Sequence, residues 1–328
     1  MTFTNTQRAK PRALITTRLH EDVKTFLDAS FEVVMNSASE PWSITEVRAR
    51  AAGCDAMMAF MTDKVDDDFL AACPSLRMIA CALKGDDNFD MAACARRGVA
   101  VSIVTDLLTV PTAELAIGLM IGLGRHMLAG DAMVRSGAFR GWRPTLYGVG
   151  LDGARVGVIG MGAVGRAIAH RLTAFRCALA YDDRLPLSPH EEDALGVRRL
   201  QREDLLAESD YVVLASPLNA STLGMIDARA LACMKTGALL VNPARGSLVD
   251  EDAVADALES GRLGGYAADA FAFEDLARSD RPHSVCERLL QHPRTFLTPH
   301  IGSAVAQARR AIEFSAARSL VEHFATAR

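Results

Sequence analysis

The sequence has no CxxC pair and no cysteines interleaved with histidine: its seven cysteines, at 54, 73, 81, 94, 177, 233 and 286, are odd in number and scattered. That pattern sets aside both a disulfide framework and a thiolate metal centre, and it fits a reducing interior. Cys81 in MIACAL and Cys177 in RCALAY lie in apolar runs, where a thiol acts as a small hydrophobe. Long hydrophobic runs are missing too. None approaches the roughly 20 apolar residues of a membrane span, and ALIT, after the basic start MTFTNTQRAKPR, is too brief for the apolar core of a secretory signal. Nor is there an excess of positive charge: 36 Lys plus Arg stand against 40 Asp plus Glu, a formal net charge of −4. Such a surface has no general attraction for nucleic acid or anionic lipid, so an anionic ligand must be met by a local group of cations. The expectation is a cytoplasmic protein acting on a small molecule, with neither a nucleic-acid nor a membrane partner.

What is present is a two-domain α/β pattern. At 328 residues the chain exceeds the size at which one core stops growing. ALIT, FEVVM, AMMAFM, RMIACA and VAVSIV read as strands between residues 13 and 104, separated by amphipathic stretches. In one of these, Ile44, Val47 and Ala51 follow a Ser43 cap at helical spacing. A long apolar helix is predicted from Pro111 to about Gly137, buried against a neighbouring domain, a second subunit or its own core. The Gly- and aromatic-rich stretch from 137 to 153 reads as an ordered loop near a cleft. A second pattern, of about six strands, opens at Arg155.

That second pattern carries the most specific motif. Gly160, Gly162 and Gly165 form GxGxxG with Ala163 and Val164 between them, after the apolar strand VGVI and before a helix-forming run. The backbone there must turn tightly and approach a pyrophosphate at a helix N-terminus. The next strand ends in Asp182-Asp183, 18 residues beyond Gly165, where a carboxylate can accept ribose hydroxyls. Asp183 repels a 2′-phosphate and favours NAD, while the adjacent Arg184 could admit some NADP.

Three later strand ends bear polar groups: Arg245 in NPARG, Glu274 after GGYAADAF, and His300 in TPHIG. An Arg among small residues suits an anion, and a His with a carboxylate partner suits acid–base work. In this order, from GxGxxG through NPARGSLVDE to TPHIG, the motifs resemble the D-2-hydroxyacid dehydrogenase superfamily over essentially the whole chain. The resemblance implies two doubly wound parallel-sheet domains, a Rossmann NAD-binding domain (109–299, with a dimerisation arm) inserted in a flavodoxin-like substrate domain (1–108 and 300–328). It also implies a homodimer.

Within that superfamily, AMMAFM, CALKGDDNFD, DLLTVPTAELAIGL and LTPHIGSAV resemble the phosphite (phosphonate) dehydrogenase branch. Lys84 is the most informative residue, since an ammonium there suits a compact oxyanion better than a monocarboxylate. The resemblance gives phosphite to Lys84, Arg245 and Arg309, the base to His300 and its partner to Glu274. Met61, Trp142, Tyr147 and Ser303 would line the substrate site. Lys84, Thr112, Ser216-Pro217-Leu218, Ala244, Arg245, Asp269, His300 and Gly302 would join the glycine loop, Asp183 and Arg184 around NAD. The chain departs from the branch at Thr62 and Ala306, where a proline and a further arginine are expected. Two other readings share the fold: a D-2-hydroxyacid dehydrogenase of glyoxylate/hydroxypyruvate reductase type, and an NADH-sensing, corepressor-like regulator.

Overall fold

The computed structural model describes residues 10–326. The chain forms two compact units, one running up to Leu108 and resuming at Val305, the other spanning Thr109–Ala304. The second crossing therefore lies just past the 299/300 boundary read from sequence, and His300 stays with the glycine-loop unit.

The first unit has five parallel strands, β1 (Arg12–Ile15), β2 (Glu32–Met35), β3 (Ala56–Ala59), β4 (Met78–Cys81) and β5 (Ala100–Ile103), in the order β2-β1-β3-β4-β5. The central strands β3 (AMMA) and β4 (MIAC) are buried at every position, as strands covered by helices on both faces must be. Short helices are started by side-chain caps. Ser43, Asp66 and Asp90 accept from the backbone N–H groups of Glu46, Phe69 and Ala93. Val47 and Ala51 turn inward as the spacing predicts, whereas Ile44 faces solvent. The final helix, Ala306–Thr326, completes this unit by burying Ile312, Ala316, Ala317, Leu320 and Phe324 in the core that β1, β3 and β4 share.

The second unit has seven parallel strands: β6 (Arg155–Ile159), β7 (Ala178–Asp182), β8 (Val197–Arg199), β9 (Tyr211–Leu214), β10 (Ala238–Asn242), β11 (Leu263–Ala268) and β12 (Thr295–Leu297). Their order is β12-β11-β10-β9-β6-β7-β8, so succession reverses between β6 and β9, the crevice where open sheets of this type take their ligands. The edge strand β8 has only three residues, of which Val197 alone is buried, too little pattern to be read in advance.

The apolar helix after residue 108 is shorter than its composition suggests. Thr109–Gly124 is helical and belongs to this unit's own core; a Cβ on Gly122 would stand 2.0 Å from the Phe296 ring, and one on Gly124 the same distance from the Tyr211 hydroxyl. His126 then turns left-handed (φ 51°), and a separate helix, Met127–Arg135, buries none of its residues. Among the described residues no helix is long and apolar enough to cross a membrane, and no group of three His, Cys, Asp or Glu could hold a metal.

At the switch point of the first unit, between β1 and β3, sits the buried acid Asp63. Its Oδ2 accepts from the Thr16 hydroxyl at 2.5 Å and the Phe60 N–H at 2.7 Å, yet burial pushes the carboxyl from 3.8 up to about 6. A raised acid costs the folded state stability as the pH climbs through the interval in which that state keeps a proton the unfolded chain has lost. The Asp63 contribution should therefore be present below pH about 4 and fall away as the pH rises to about 6, by about 2–3 kcal/mol in all. Urea unfolding of the wild type and Asp63→Asn across that range reads it as a gap that shifts against the wild type with rising pH. A gap independent of pH would show that Asp63 titrates as an ordinary carboxyl.

Candidate active site

The glycine loop follows β6. Gly160 holds φ 98°, and a Cβ on it would lie 2.6 Å from the Ala215 carbonyl carbon; one on Gly165 would lie 2.0 Å from the Gly160 oxygen. Both positions exclude a side chain, which lets the helix Ala163–Leu172 start hard against the strand. A Cβ on Gly162 instead meets nothing within 4 Å, leaving its backbone open to approach at the helix N-terminus. These features fit a dinucleotide pyrophosphate.

The two aspartates at the end of β7 divide their roles. Asp182 pairs with Arg202 at 2.9 Å. Asp183 accepts from the Met161 N–H at 2.6 Å and the Leu185 N–H at 2.9 Å, which ties the end of β7 to the glycine loop. Arg184 is exposed beside it, and Arg199, paired in register with Tyr181 across β7 and β8, donates to the Asp183 carbonyl at 2.8 Å. The place of Arg199 beside Asp183 has no signal in the sequence, because the three-residue strand that delivers it carries too little pattern. On the opposite side of the switch point, the Ser216 hydroxyl donates to the Ile159 carbonyl at 3.1 Å and fixes the turn bearing Pro217 and Leu218.

Arg245, Glu274 and His300 follow β10, β11 and β12. Asn242, fully buried at the end of β10, donates to the Arg245 carbonyl at 2.8 Å and accepts from the Ala244 N–H at 3.1 Å, folding the NPARG turn on itself. The Arg245 guanidinium donates to the Ala244 carbonyl at 2.8 Å. His300 Nδ1 meets Glu274 Oε2 at 2.6 Å, and the other Glu274 oxygen accepts from the Phe271 N–H at 2.7 Å. The carboxylate thus fixes the ring with Nδ1 as donor, which leaves Nε2 as the basic nitrogen.

His300 itself has φ 53°, a left-handed conformation that disfavours a side chain. What holds it is Asp269, 1% exposed. One Asp269 oxygen accepts from the Thr298 hydroxyl at 2.6 Å and the Ile301 N–H at 2.8 Å, the other from the Gly302 N–H at 2.7 Å. Burial pushes this carboxyl up, opposed by the same donors and by His300. Thr112 reaches the same place from the helix Thr109–Gly124: a Cβ on Gly302 would lie 3.4 Å from its hydroxyl.

The other proposed substrate residues are divided between the two units. In the first unit, Met61 and Lys84 follow β3 and β4, both half-buried. Arg309 on the final helix donates to the Ala82 carbonyl at 3.4 Å and stands 5.7 Å above the Phe60 ring; burial lowers its pKa, against the raising effect of Glu313. Ser303 is half-buried just before that helix. Trp142 and Tyr147 are 84% and 77% exposed on the second unit's segment after Arg135.

Residues 117–302 match the model of the D-isomer specific 2-hydroxyacid dehydrogenase NAD-binding domain. The chain is 34% identical over 317 residues to a glyoxylate reductase of Pyrococcus furiosus, covering 95% of this chain and 92% of that protein. Among solved structures, a 2-hydroxyacid dehydrogenase from a Polaromonas species superposes with a TM-score of 0.86 at 31% identity, covering 97% of each chain. An NADPH-dependent glyoxylate/hydroxypyruvate reductase of Sinorhizobium meliloti, in complex with NADP and malonate, gives 0.83 at 30%, covering 97% and 95%.

Two outcomes follow from this geometry. Removing the exposed guanidinium in Arg184→Ala should lower kcat/KM for NADP about tenfold or more and leave that for NAD nearly unchanged, as steady-state rates with each cofactor would show. Asp269→Asn replaces one acceptor with a donor facing an N–H group, so the His300 turn should loosen and kcat fall by about 10 to 100-fold in turnover assays.

Proposed function

We propose, starting from the fact that this chain belongs to the D-isomer specific 2-hydroxyacid dehydrogenase family, that it oxidises phosphite to phosphate with NAD. The observation that carries this reading is Lys84, an ammonium at the end of β4, with Arg309 on the same unit. Two cations in addition to Arg245 suit a compact dianion better than they suit a single carboxylate. The glycine loop, Asp183 and the Ser216 turn would hold NAD, which supplies the hydride acceptor.

Within that scheme Arg245 and Lys84 bind the phosphoryl oxygens and offset the negative charge that grows on them as oxygen is added. His300 Nε2 takes a proton from the water that attacks phosphorus, the P–H hydrogen leaves as hydride, and Glu274 keeps the ring in the accepting tautomer. Arg184 and Arg199 support secondary use of NADP.

A second reading, reduction of a 2-oxo acid such as glyoxylate or hydroxypyruvate, is favoured by the names of the relatives, and the comparisons support it more directly than they support phosphite. There Arg245 holds the carboxylate and His300 supplies the proton to the carbonyl oxygen. The apolar surface of Met127, Leu128, Val134 and Phe139 supports association with a second copy, giving a C₂ homodimer.

Purified protein with phosphite and NAD should produce NADH and phosphate in equal amounts, and Lys84→Ala should lower that rate by about 100-fold or more, the scale of removing one preorganised charge. Absence of NADH at millimolar phosphite, together with brisk oxidation of NADH by glyoxylate, would establish the second reading in its place.

A further inference from the structure

The turns that carry Arg245 and Glu274 lie against each other, and two buried acids stand behind them. Gly246–Leu248 forms a short 3-10 turn after Arg245, and Ala272–Glu274 forms another. A Cβ on Gly246 would fall 1.8 Å from the Phe271 carbonyl carbon and 2.0 Å from the Ala272 nitrogen, so backbone touches backbone with no room for a side chain. Asp275, 4% exposed, accepts from the Ser247 N–H at 3.0 Å, and so reaches from the Glu274 turn to the Arg245 turn. Glu251, 8% exposed at the start of the helix Glu251–Glu259, accepts from the Ala272 N–H at 2.8 Å through one oxygen and from the Cys286 N–H at 3.4 Å through the other.

Burying two carboxylates this close together is costly, and a core would be cheaper without them. Burial, with the charges of Asp252 and Asp275, pushes the Glu251 carboxyl up, against the pull of its two N–H donors. What the acids supply is direction. Between them the two acids receive the backbone N–H groups of Ser247, Ala272 and Cys286, and together they fix the Arg245 turn relative to the turn that holds Glu274.

We propose that Glu251 and Asp275 are positioning residues, a buried carboxylate brace that sets the anion-holding Arg245 in register with the Glu274–His300 pair. This rests on the reading that Arg245 and the pair act on the substrate. Neither acid touches the reacting atoms. Their effect passes through the Ser247 and Ala272 backbone, and a displacement well under the length of a hydrogen bond is enough to disturb an anion held between a guanidinium and an imidazole.

The test uses Glu251→Gln and Asp275→Asn in the full-length protein, one at the start of the helix Glu251–Glu259 and the other just after the Glu274 turn, so that if one variant fails to fold the other decides. Four quantities are read: kcat and KM with phosphite and with glyoxylate, NADH affinity by fluorescence, the thermal midpoint, and the downfield proton resonance of the His300 Nδ1–H, assigned by its loss in His300→Gln. The brace predicts that kcat falls at least about tenfold, a modest fraction of what misplacing a catalytic group can cost. NADH affinity should be preserved, because the glycine loop lies after β6, and the downfield resonance should move or disappear. An unchanged resonance with unchanged kcat per folded molecule overturns the proposal, even if the thermal midpoint drops. If the wild type turns over neither substrate, the function proposed above fails, and the resonance still decides whether the two acids position the pair.

Discussion

The second unit's chemistry depends on one buried charge. Asp269 takes its donors from the segment after β12, and those bonds hold His300 left-handed, a backbone state that costs a residue with a side chain about 1–2 kcal/mol. Without that anchor the turn would relax and the imidazole would swing away from Glu274. A hydrophobic residue at 269 would pack as well but could not receive two N–H groups and a hydroxyl. The cost of burying the carboxylate, visible in its raised pKa, is offset by geometry: the ring arrives with Nδ1 on a carboxylate and Nε2 available.

The same device recurs. Asn242 folds the Arg245 turn, Asp183 binds the glycine loop, and in the other unit Asp63 joins Thr16 to the backbone after β3. Parallel strands explain the recurrence. Each strand ends at the same edge of the sheet, where the chain must leave its ladder and its backbone N–H groups lose their partners. Buried acceptors at that edge restore those partners and also aim the residues that follow, so stability of the turns and placement of the functional groups have one physical origin.

The two units place cations differently. In the glycine-loop unit Arg245 is fixed by its own turn, while Arg184 is left exposed just past the end of β7, next to Asp183, whose carbonyl Arg199 holds. In the other unit Arg309 lies along the Phe60 ring and the Ala82 carbonyl, half-buried, with its pKa lowered by that burial. A chain of net charge −4 thus confines these positive groups to strand ends and to the helix beside them, which is where a small anion and a dinucleotide phosphate would need them.

The sequence by itself determined the strand and helix alternation, the glycine loop, and the candidate trio Arg245, Glu274 and His300, because these are written locally: apolar runs, glycines where backbone must come close, polar residues just past strand ends. The pairing of His300 with Glu274, 26 residues apart in sequence, could be guessed from adjacent strand ends, although the 2.6 Å bond and its tautomer could not. Only the tertiary structure decided the rest. It broke the apolar helix at His126, where a left-handed residue ends a run whose composition would continue it, and it exposed Trp142 and Tyr147, large side chains that composition alone would have packed. It also gave Asp269, Glu251 and Asp275 their work. An acid looks the same in a sequence whether it faces water or backbone N–H groups, and only the fold brings those donors to it.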